Sequence, residues 1–246
     1  MNALIGEVVG TLILILPGNG VVSNVLLKKT SGNGAGWIVI TAGWGIAVFV
    51  GATIANAASG AHLNPAVTIA KLALGDMSFS LAIGYMLAQM LGAILGAMLV
   101  FLFYRSHFQA TESASEKLSC FCTAPSIPGN GQALLCEMIG TFVLVYAILH
   151  FQNPLLATGS GEIGAELGLG SIGLLQVAFV VFGIGLSLGG TTGYAINPAR
   201  ALGPRIAHAL LPMENKGDSD WGYAIVPVMG PLMGGVLAAI VYSVLL

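Results

Sequence analysis

The stretch SGAHLNPAVT, residues 59–68, sets a polar, helix-breaking phrase in a chain otherwise made of long apolar runs. A second copy of the phrase, TGYAINPARA, spans residues 192–201. Asn is a favoured helix N-cap, and a proline at the first helical position has no N–H to leave unpaired. Asn64-Pro65-Ala66 and Asn197-Pro198-Ala199 therefore each predict the start of a helix. The first helix is stopped by Gly75-Asp76 and the second by Pro212, with a kink expected at the internal Pro204. At about 1.5 Å per residue, the first covers roughly half of a bilayer core of ~30 Å.

The surrounding composition is that of a chain solvated by lipid. Of 246 residues only 7% are charged, against about 25% in an ordinary globular domain. Hydrophobic residues reach 56% and the mean hydropathy is +0.91. A net charge of −2 gives nucleic acid nothing to bind. Cys120, Cys122 and Cys136 have neither metal-site spacing nor the even number of a disulfide framework, so they are expected to be ordinary thiols and no metal is expected. The opening MNALIGEVV lacks a basic leader region, and the first apolar run is expected to be a membrane helix rather than a cleaved signal.

Six runs are long enough to span: Ala3–Leu27, Trp37–Ser59, Met77–Tyr104, Ala133–Phe151, Leu169–Leu188 and Trp221–Leu246. Gly92–Gly96, Gly185–Gly189 and Gly230–Gly234 carry the small-xxx-small spacing of close helix crossings. The chain also repeats. LIGEVVGTLILIL (4–16) matches LLCEMIGTFVLVY (134–146), so Glu7 pairs with Glu137 at an offset of 130, while Asn64 and Asn197 are 133 apart. Each half holds three spans and one half-length helix. Three is odd, so the halves enter the membrane in opposite senses, and interrupted helices at matching places point to the transport site. The fold class is an all-α membrane protein of six transmembrane helices plus two half-helices in an inverted repeat. It is one domain over residues 1–246, its halves about 1–105 and 132–246 joined by a polar loop, 106–131.

Glu7 and Glu137 are ionisable groups inside spans, where a charge needs a reason. Their repeat symmetry favours a scaffold in which each accepts hydrogen bonds from the N–H groups of its half's Asn-Pro-Ala loop. A proton relay would want further ionisable groups in line, and the spans supply none. His62, two residues before Asn64, reads as a packed loop residue; His150 and His208 have no visible partners in the sequence.

These features resemble the major intrinsic protein family, the aquaporins and glycerol facilitators. The paired Asn-Pro-Ala motifs, Arg200 after the second, GAHLNPAVT, the repeated Glu-x-x-Gly-Thr and YMLAQMLGAILGA (85–97) with its mid-helix Gln89 all fit, over essentially the whole chain. The resemblance implies that the half-helices are re-entrant and meet N-terminus to N-terminus at mid-membrane. It implies a ladder of pore-facing carbonyls over Gly60–Leu63 and Gly193–Ile196, with Asn64 and Asn197 offering amide N–H groups to a passing oxygen. It places the narrowest point at Trp44, Gly185, Tyr194 and Arg200, and Glu7, Glu137 and His62 in the loop scaffold. Glycine at 185, where water-selective members usually have His, leaves room for an aromatic wall and suits a small polyol.

Arg205, Pro227, Val228 and CFCTAP (120–125) also resemble the glycerol branch. Ala201 departs from it, since glycerol facilitators usually carry Asp there. The implied function is a passive channel for glycerol and other small neutral solutes such as urea, together with water, excluding protons and ions. The alternatives are a mainly water-selective channel and, from another class, a secondary transporter. No enzyme activity and no cofactor are expected. The resemblance further implies a homotetramer in the cell membrane with both termini cytoplasmic. That orientation puts Lys28, Lys29, Arg105, Lys117 and Lys216 outside and only Lys71 inside, against the positive-inside tendency.

Overall fold

The computed structural model describes residues 1–157 and 163–245. In chain order the elements are α1 (Ala3–Leu26), α2 (Trp37–Ser59), α3 (Pro65–Ala73), α4 (Phe79–Phe103), α5 (Arg105–Ala110), α6 (Ala114–Ser119), α7 (Asn130–Leu149), α8 (Leu175–Ser187), α9 (Pro198–Leu210) and α10 (Val226–Leu245). The five long helices α1, α2, α4, α7 and α10 can each cross a bilayer, as can α8 together with the 3₁₀ turn Gly170–Leu174 that precedes it. The chain is a multi-pass membrane protein. The short α3 and α9 are the half-length helices that the two Asn-Pro-Ala phrases predict.

Helix boundaries follow local chemistry. Ser78 caps α4, its hydroxyl accepting from Leu81 N–H at 3.3 Å. α2 ends on Gly60 in the left-handed region (φ 77°), which spares a side chain the Cβ clash there. The sixth run starts later than its apolar pattern suggests. Trp221–Ile225 instead forms turns, with Tyr223 N–H bonded to Asp220 O and Val226 N–H to Tyr223 O. The fifth begins as a 3₁₀ turn, in a stretch weakened as a helix by Gly170 and Gly173. α9 continues through Pro204 to Leu210, so the proline does not end it. Two short features lie outside the all-α expectation or refine it: the loop between the halves folds into α5 and α6, and Leu155–Ala157 pairs antiparallel with Ile163–Glu166 between α7 and α8.

The inverted repeat is visible in the packing. α1 lies against α2 and α4; α7 lies against α8 and α10. A Cβ on Gly92 or Gly96 would come within 2.3 Å of Val8 O and 2.7 Å of Leu12 O on α1. In the second half, Gly234 would meet Met138 O of α7 at 2.3 Å and Gly230 would meet Leu134 O at 3.0 Å. These two small-xxx-small pairs are therefore helix crossings in which backbones touch. They extend the repeat to α4 and α10 at an offset of 138 residues.

The half-helices cross over between halves. α3 packs mainly on α10 of the other half, and α9 mainly on α4. A Cβ on Gly235 would sit 2.5 Å from Ala66 O, and one on Gly203 2.5 Å from the Ala93 Cβ. Each half therefore clasps the other's half-helix, which locks the two loops together at the centre.

Candidate functional site

The centre is built by two loops, 60–64 and 193–197, with the same backbone course. Gly60 and Gly193 are left-handed (φ 77° and 76°), and so are Ala61, Leu63, Tyr194 and Ile196 (φ 53°, 50°, 37° and 42°). A non-glycine residue in that region costs of order 1–3 kcal/mol and persists only where its surroundings fix it. Here two buried carboxylates fix it. Glu7 Oε1 accepts from His62 N–H at 3.0 Å and Glu7 Oε2 from Leu63 N–H at 2.7 Å. Glu137 accepts from Ala195 N–H at 3.0 Å and Ile196 N–H at 2.8 Å. With these N–H groups turned onto the glutamates, the opposite edge of each loop is left to face the cavity.

The first half adds polar support that sequence reading assigned to no role. Ser59 Oγ donates to Glu7 Oε1 at 2.6 Å, and Gln89 Nε2 donates to Glu7 Oε2 at 2.7 Å and to Thr68 Oγ at 3.0 Å. Tyr85 OH donates to Ser59 O. The signal for Gln89 was present, since an uncharged polar group mid-span must find partners. His62 packs edge-on against the Tyr85 ring and shares a hydrogen bond between Nδ1 and Thr68 Oγ at 3.1 Å.

Asn64 and Asn197 face each other across the centre. Their side-chain oxygens cap their own helices, Asn64 accepting from Ala66 N–H at 2.8 Å and Asn197 from Ala199 N–H at 3.0 Å and Arg200 N–H at 3.2 Å. Their amide nitrogens bond crosswise, Asn64 Nδ2 to Ile196 O and Asn197 Nδ2 to Leu63 O, both at 2.8 Å. These bonds add a detail to the expected carbonyl ladder. Its innermost rungs, Leu63 O and Ile196 O, are engaged by the opposite asparagine, and each asparagine keeps one of its two N–H donors. The same bonds bring the N-termini of α3 and α9 together.

A cavity of about 200 Å³ runs alongside. One wall is apolar, with Leu14, Val48, Val67, Leu144, Val177 and Val181; the other is the backbone of residues 60–64 and 194–197. Trp44, Tyr194 and Arg200 line it, as do Lys71 and Phe151. The Arg200 guanidinium carbon lies 4.2 Å from the Trp44 ring centroid, within cation–π range. Gly185 stands behind this group rather than on the cavity wall. A Cβ there would be 2.9 Å from Tyr194 Cζ and 2.7 Å from Thr41 Cγ2, so the tyrosine ring occupies the space that glycine vacates.

Chains of such a course occur in known proteins. The major intrinsic protein family model matches residues 1–242. The chain belongs to the major intrinsic protein family. It is 51% identical over 243 residues to the glycerol uptake facilitator protein of Streptococcus pneumoniae R6, covering 99% of both chains. It is 47% identical over 243 residues to the probable glycerol uptake facilitator protein of Thermotoga maritima, again covering 99% of both. Among solved structures it is similar to the aquaglyceroporin of Plasmodium falciparum, with a TM-score of 0.78 at 29% identity, covering 97% of this chain and 93% of that one.

Two further features bear on the site of this family member. Ala201 is buried (1% exposed). The loops beside it are held by Arg205, fully buried, which donates to the carbonyls of Thr123, Ser219 and Asp220. His208 is not without a partner: its Nδ1 lies 2.9 Å from Ser219 Oγ, and His150 Nδ1 lies 2.8 Å from Tyr146 O. Among the described residues no group of three or more His, Cys, Asp or Glu side chains could hold a metal ion. Cys120 and Cys122 are buried free thiols, and that burial pushes them up to about 12 and about 11.

Proposed function

We propose that this protein is a passive channel for glycerol and water, with Trp44, Gly185, Tyr194 and Arg200 as its selective constriction. The observation that carries the reading is the corner formed by Trp44 and Tyr194 with Arg200 beside it, made possible by glycine at 185. A polyol has one hydrocarbon edge and one hydroxyl edge. The aromatic rings take the first, and the guanidinium and loop carbonyls take the second. A site built to hydrogen-bond a hydroxyl rejects solutes that leave its polar groups unpaired. The names of the relatives in Streptococcus pneumoniae and Thermotoga maritima support glycerol as the solute. Urea and other small neutral solutes of similar width belong to the same class.

Asn64 and Asn197 act at the midpoint, each offering its remaining N–H to the passing oxygen. A water held by two fixed donors cannot relay a proton through the file. The abutting N-termini of α3 and α9 add positive ends that repel cations. Pro65-Ala66 and Pro198-Ala199 start the helices that carry these donors, and Glu7, Glu137 and His62 hold the loops in shape. We read the assembly as a homotetramer with one pore per chain, in the cell membrane, with both termini cytoplasmic. Several of the loop cations that oppose this orientation serve the fold. Lys28 pairs with Glu116 at 3.4 Å, Lys117 is buried on Glu214 O, and Lys216 caps α9 through the carbonyls of His208, Ala209 and Leu211.

The double substitution Gly185→His with Tyr194→Cys tests the constriction. Histidine at 185 competes with the tyrosine ring for one space, so the ring is removed with it, and the Thr41 methyl has to give way as well. In proteoliposomes the double variant is expected to lose glycerol flux and retain water flux. Glycerol flux equal to the parent's would remove these residues from the constriction.

A further inference from the structure

The constriction has a support that its four residues do not include. Trp37 begins α2, and Thr41 and Trp44 follow at helical spacings of four and three, so all three share one face of that helix. Each meets a different part of the constriction. Trp44 lies under Arg200. Thr41 presses on the position of Gly185, whose Cβ would be 2.7 Å from Thr41 Cγ2. Trp37 reaches both remaining pieces: its ring packs edge-on against Tyr194 with centroids 5.8 Å apart, and its Nε1–H donates to Gly185 O at 2.9 Å.

Gly185 O lies in the last turn of α8, where intrahelical donors run out. The indole N–H supplies one. Gly189, one turn on, completes the seat. A Cβ there would lie 2.4 Å from Tyr194 Cδ1 and 3.0 Å from Trp37 Cζ2. The Tyr194 ring is thus held in a slot with the two glycines on one side and the Trp37 edge closing it. Among the described residues its hydroxyl has no hydrogen-bond partner, and the contacts shown for it are ring contacts. Trp37 is 41% exposed near a helix end, as a tryptophan of the membrane interface would be. Such a residue directs its N–H to water or headgroups; this one directs it inward, to the helix that carries Gly185.

We propose that Trp37 is a positioning residue of the constriction, holding Tyr194 against Gly185 and Gly189 and so setting the largest polyol that passes. This rests on the reading of Trp44, Gly185, Tyr194 and Arg200 as the selective site. Without the indole, the ring has room to withdraw outward. The opening then widens for a four-carbon polyol, while water, already smaller than the gap, gains little.

The test uses the full chain in proteoliposomes, with Trp37→Ala and Trp37→Phe each compared with the parent and with the Gly185→His/Tyr194→Cys double variant. Stopped-flow light scattering reads water, glycerol and erythritol permeability from the same vesicle batch. Trp37→Ala is expected to raise the erythritol-to-glycerol ratio about fivefold, short of the tenfold or more that one methylene commands in a snug pocket. Water permeability should change by less than about twofold, since its passage does not depend on the ring's outward limit. Trp37→Phe, which keeps an aromatic ring but a smaller one that lacks the N–H, should raise the ratio by a smaller factor, and it serves alone if the alanine variant does not fold. A loss of general packing would lower all three permeabilities together and leave the ratio unchanged, which would overturn the proposal. An unchanged ratio in both Trp37 variants, with glycerol flux lost and water flux kept in the double variant, would also overturn it and leave the constriction standing. If the double variant keeps the parent's glycerol flux, the constriction itself is misplaced and the proposal falls with it.

Discussion

Gly185→Ala adds a single methyl group at the point where the constriction has least room. Its Cβ would lie 2.9 Å from Tyr194 Cζ, and 2.7 and 3.0 Å from Thr41 Cγ2 and Cβ. Carbon atoms prefer separations of ~3.5–4.0 Å, so about 0.6 Å or more must be found. Thr41 is fully buried on α2, which packs on both α1 and α8, so it yields little and pushes position 185 toward the tyrosine ring. The tyrosine ring is the movable partner, because Tyr194 lines the cavity. It therefore shifts toward Trp44 and Arg200 and narrows the opening. Overpacking of this kind costs ~1–3 kcal/mol. Carried into the barrier for a solute that fills the opening, this is about a fivefold to hundredfold loss of flux, at 1.4 kcal/mol per factor of ten. Water, which does not fill the opening, should lose less than glycerol. Stopped-flow light scattering on proteoliposomes measures both solutes at matched protein density. Parental glycerol flux through the alanine variant would refute the reasoning, because the methyl group would then have displaced something other than the pore wall.

Two other perturbations probe the supports of the site. In Glu137→Gln, whichever way the amide faces, either Ala195 N–H or Ile196 N–H meets an NH₂ group. An unpaired buried N–H costs ~1–3 kcal/mol, comparable to the strain held at Tyr194 and Ile196. Glycerol flux is expected to fall about tenfold or more, at 1.4 kcal/mol per factor of ten; flux at the parental level would show that the loop keeps its course without the carboxylate. For the thiols, burial raises Cys120 to about 12 and Cys122 to about 11, so at about pH 8 almost none of either is thiolate. Mass spectrometry after iodoacetamide treatment should find both unmodified in folded protein and labelled after denaturation; rapid labelling in the folded state would contradict their burial.

Much of this architecture is written locally. The spans are legible because lipid requires each backbone segment to satisfy itself, so apolar length alone marks a helix. The starts at Asn64 and Asn197 are legible because capping is a local event, and both asparagines cap the helices that their sequence position predicts. Glu7 and Glu137 stand out because a charge in a span is rare, and the bonds they accept from the loops follow from their repeat symmetry. What was not legible depends on contacts between distant segments. The crosswise bonds from Asn64 to Ile196 O and from Asn197 to Leu63 O join residues more than a hundred positions apart, and nothing in the periodicity distinguishes an engaged carbonyl from a free one. In the sequence Trp37 marks only the start of a span, since its partner Gly185 lies on another helix. The two short helices and the hairpin in the connecting loops were missed because polar connections carry no apolar period to read.

The central claim is passive conduction of glycerol, and the most direct measurement is the response of vesicles holding the unmodified chain to two osmotic shocks. One batch meets an impermeant sugar and another meets glycerol, each followed by light scattering in a stopped-flow instrument. The account predicts fast shrinkage in sugar and, in glycerol, shrinkage followed by rapid reswelling, without any ion gradient. Fast shrinkage in sugar with no reswelling in glycerol beyond that of empty vesicles would contradict it: the pore would then be selective for water, and the room left by Gly185 would not be room for a polyol.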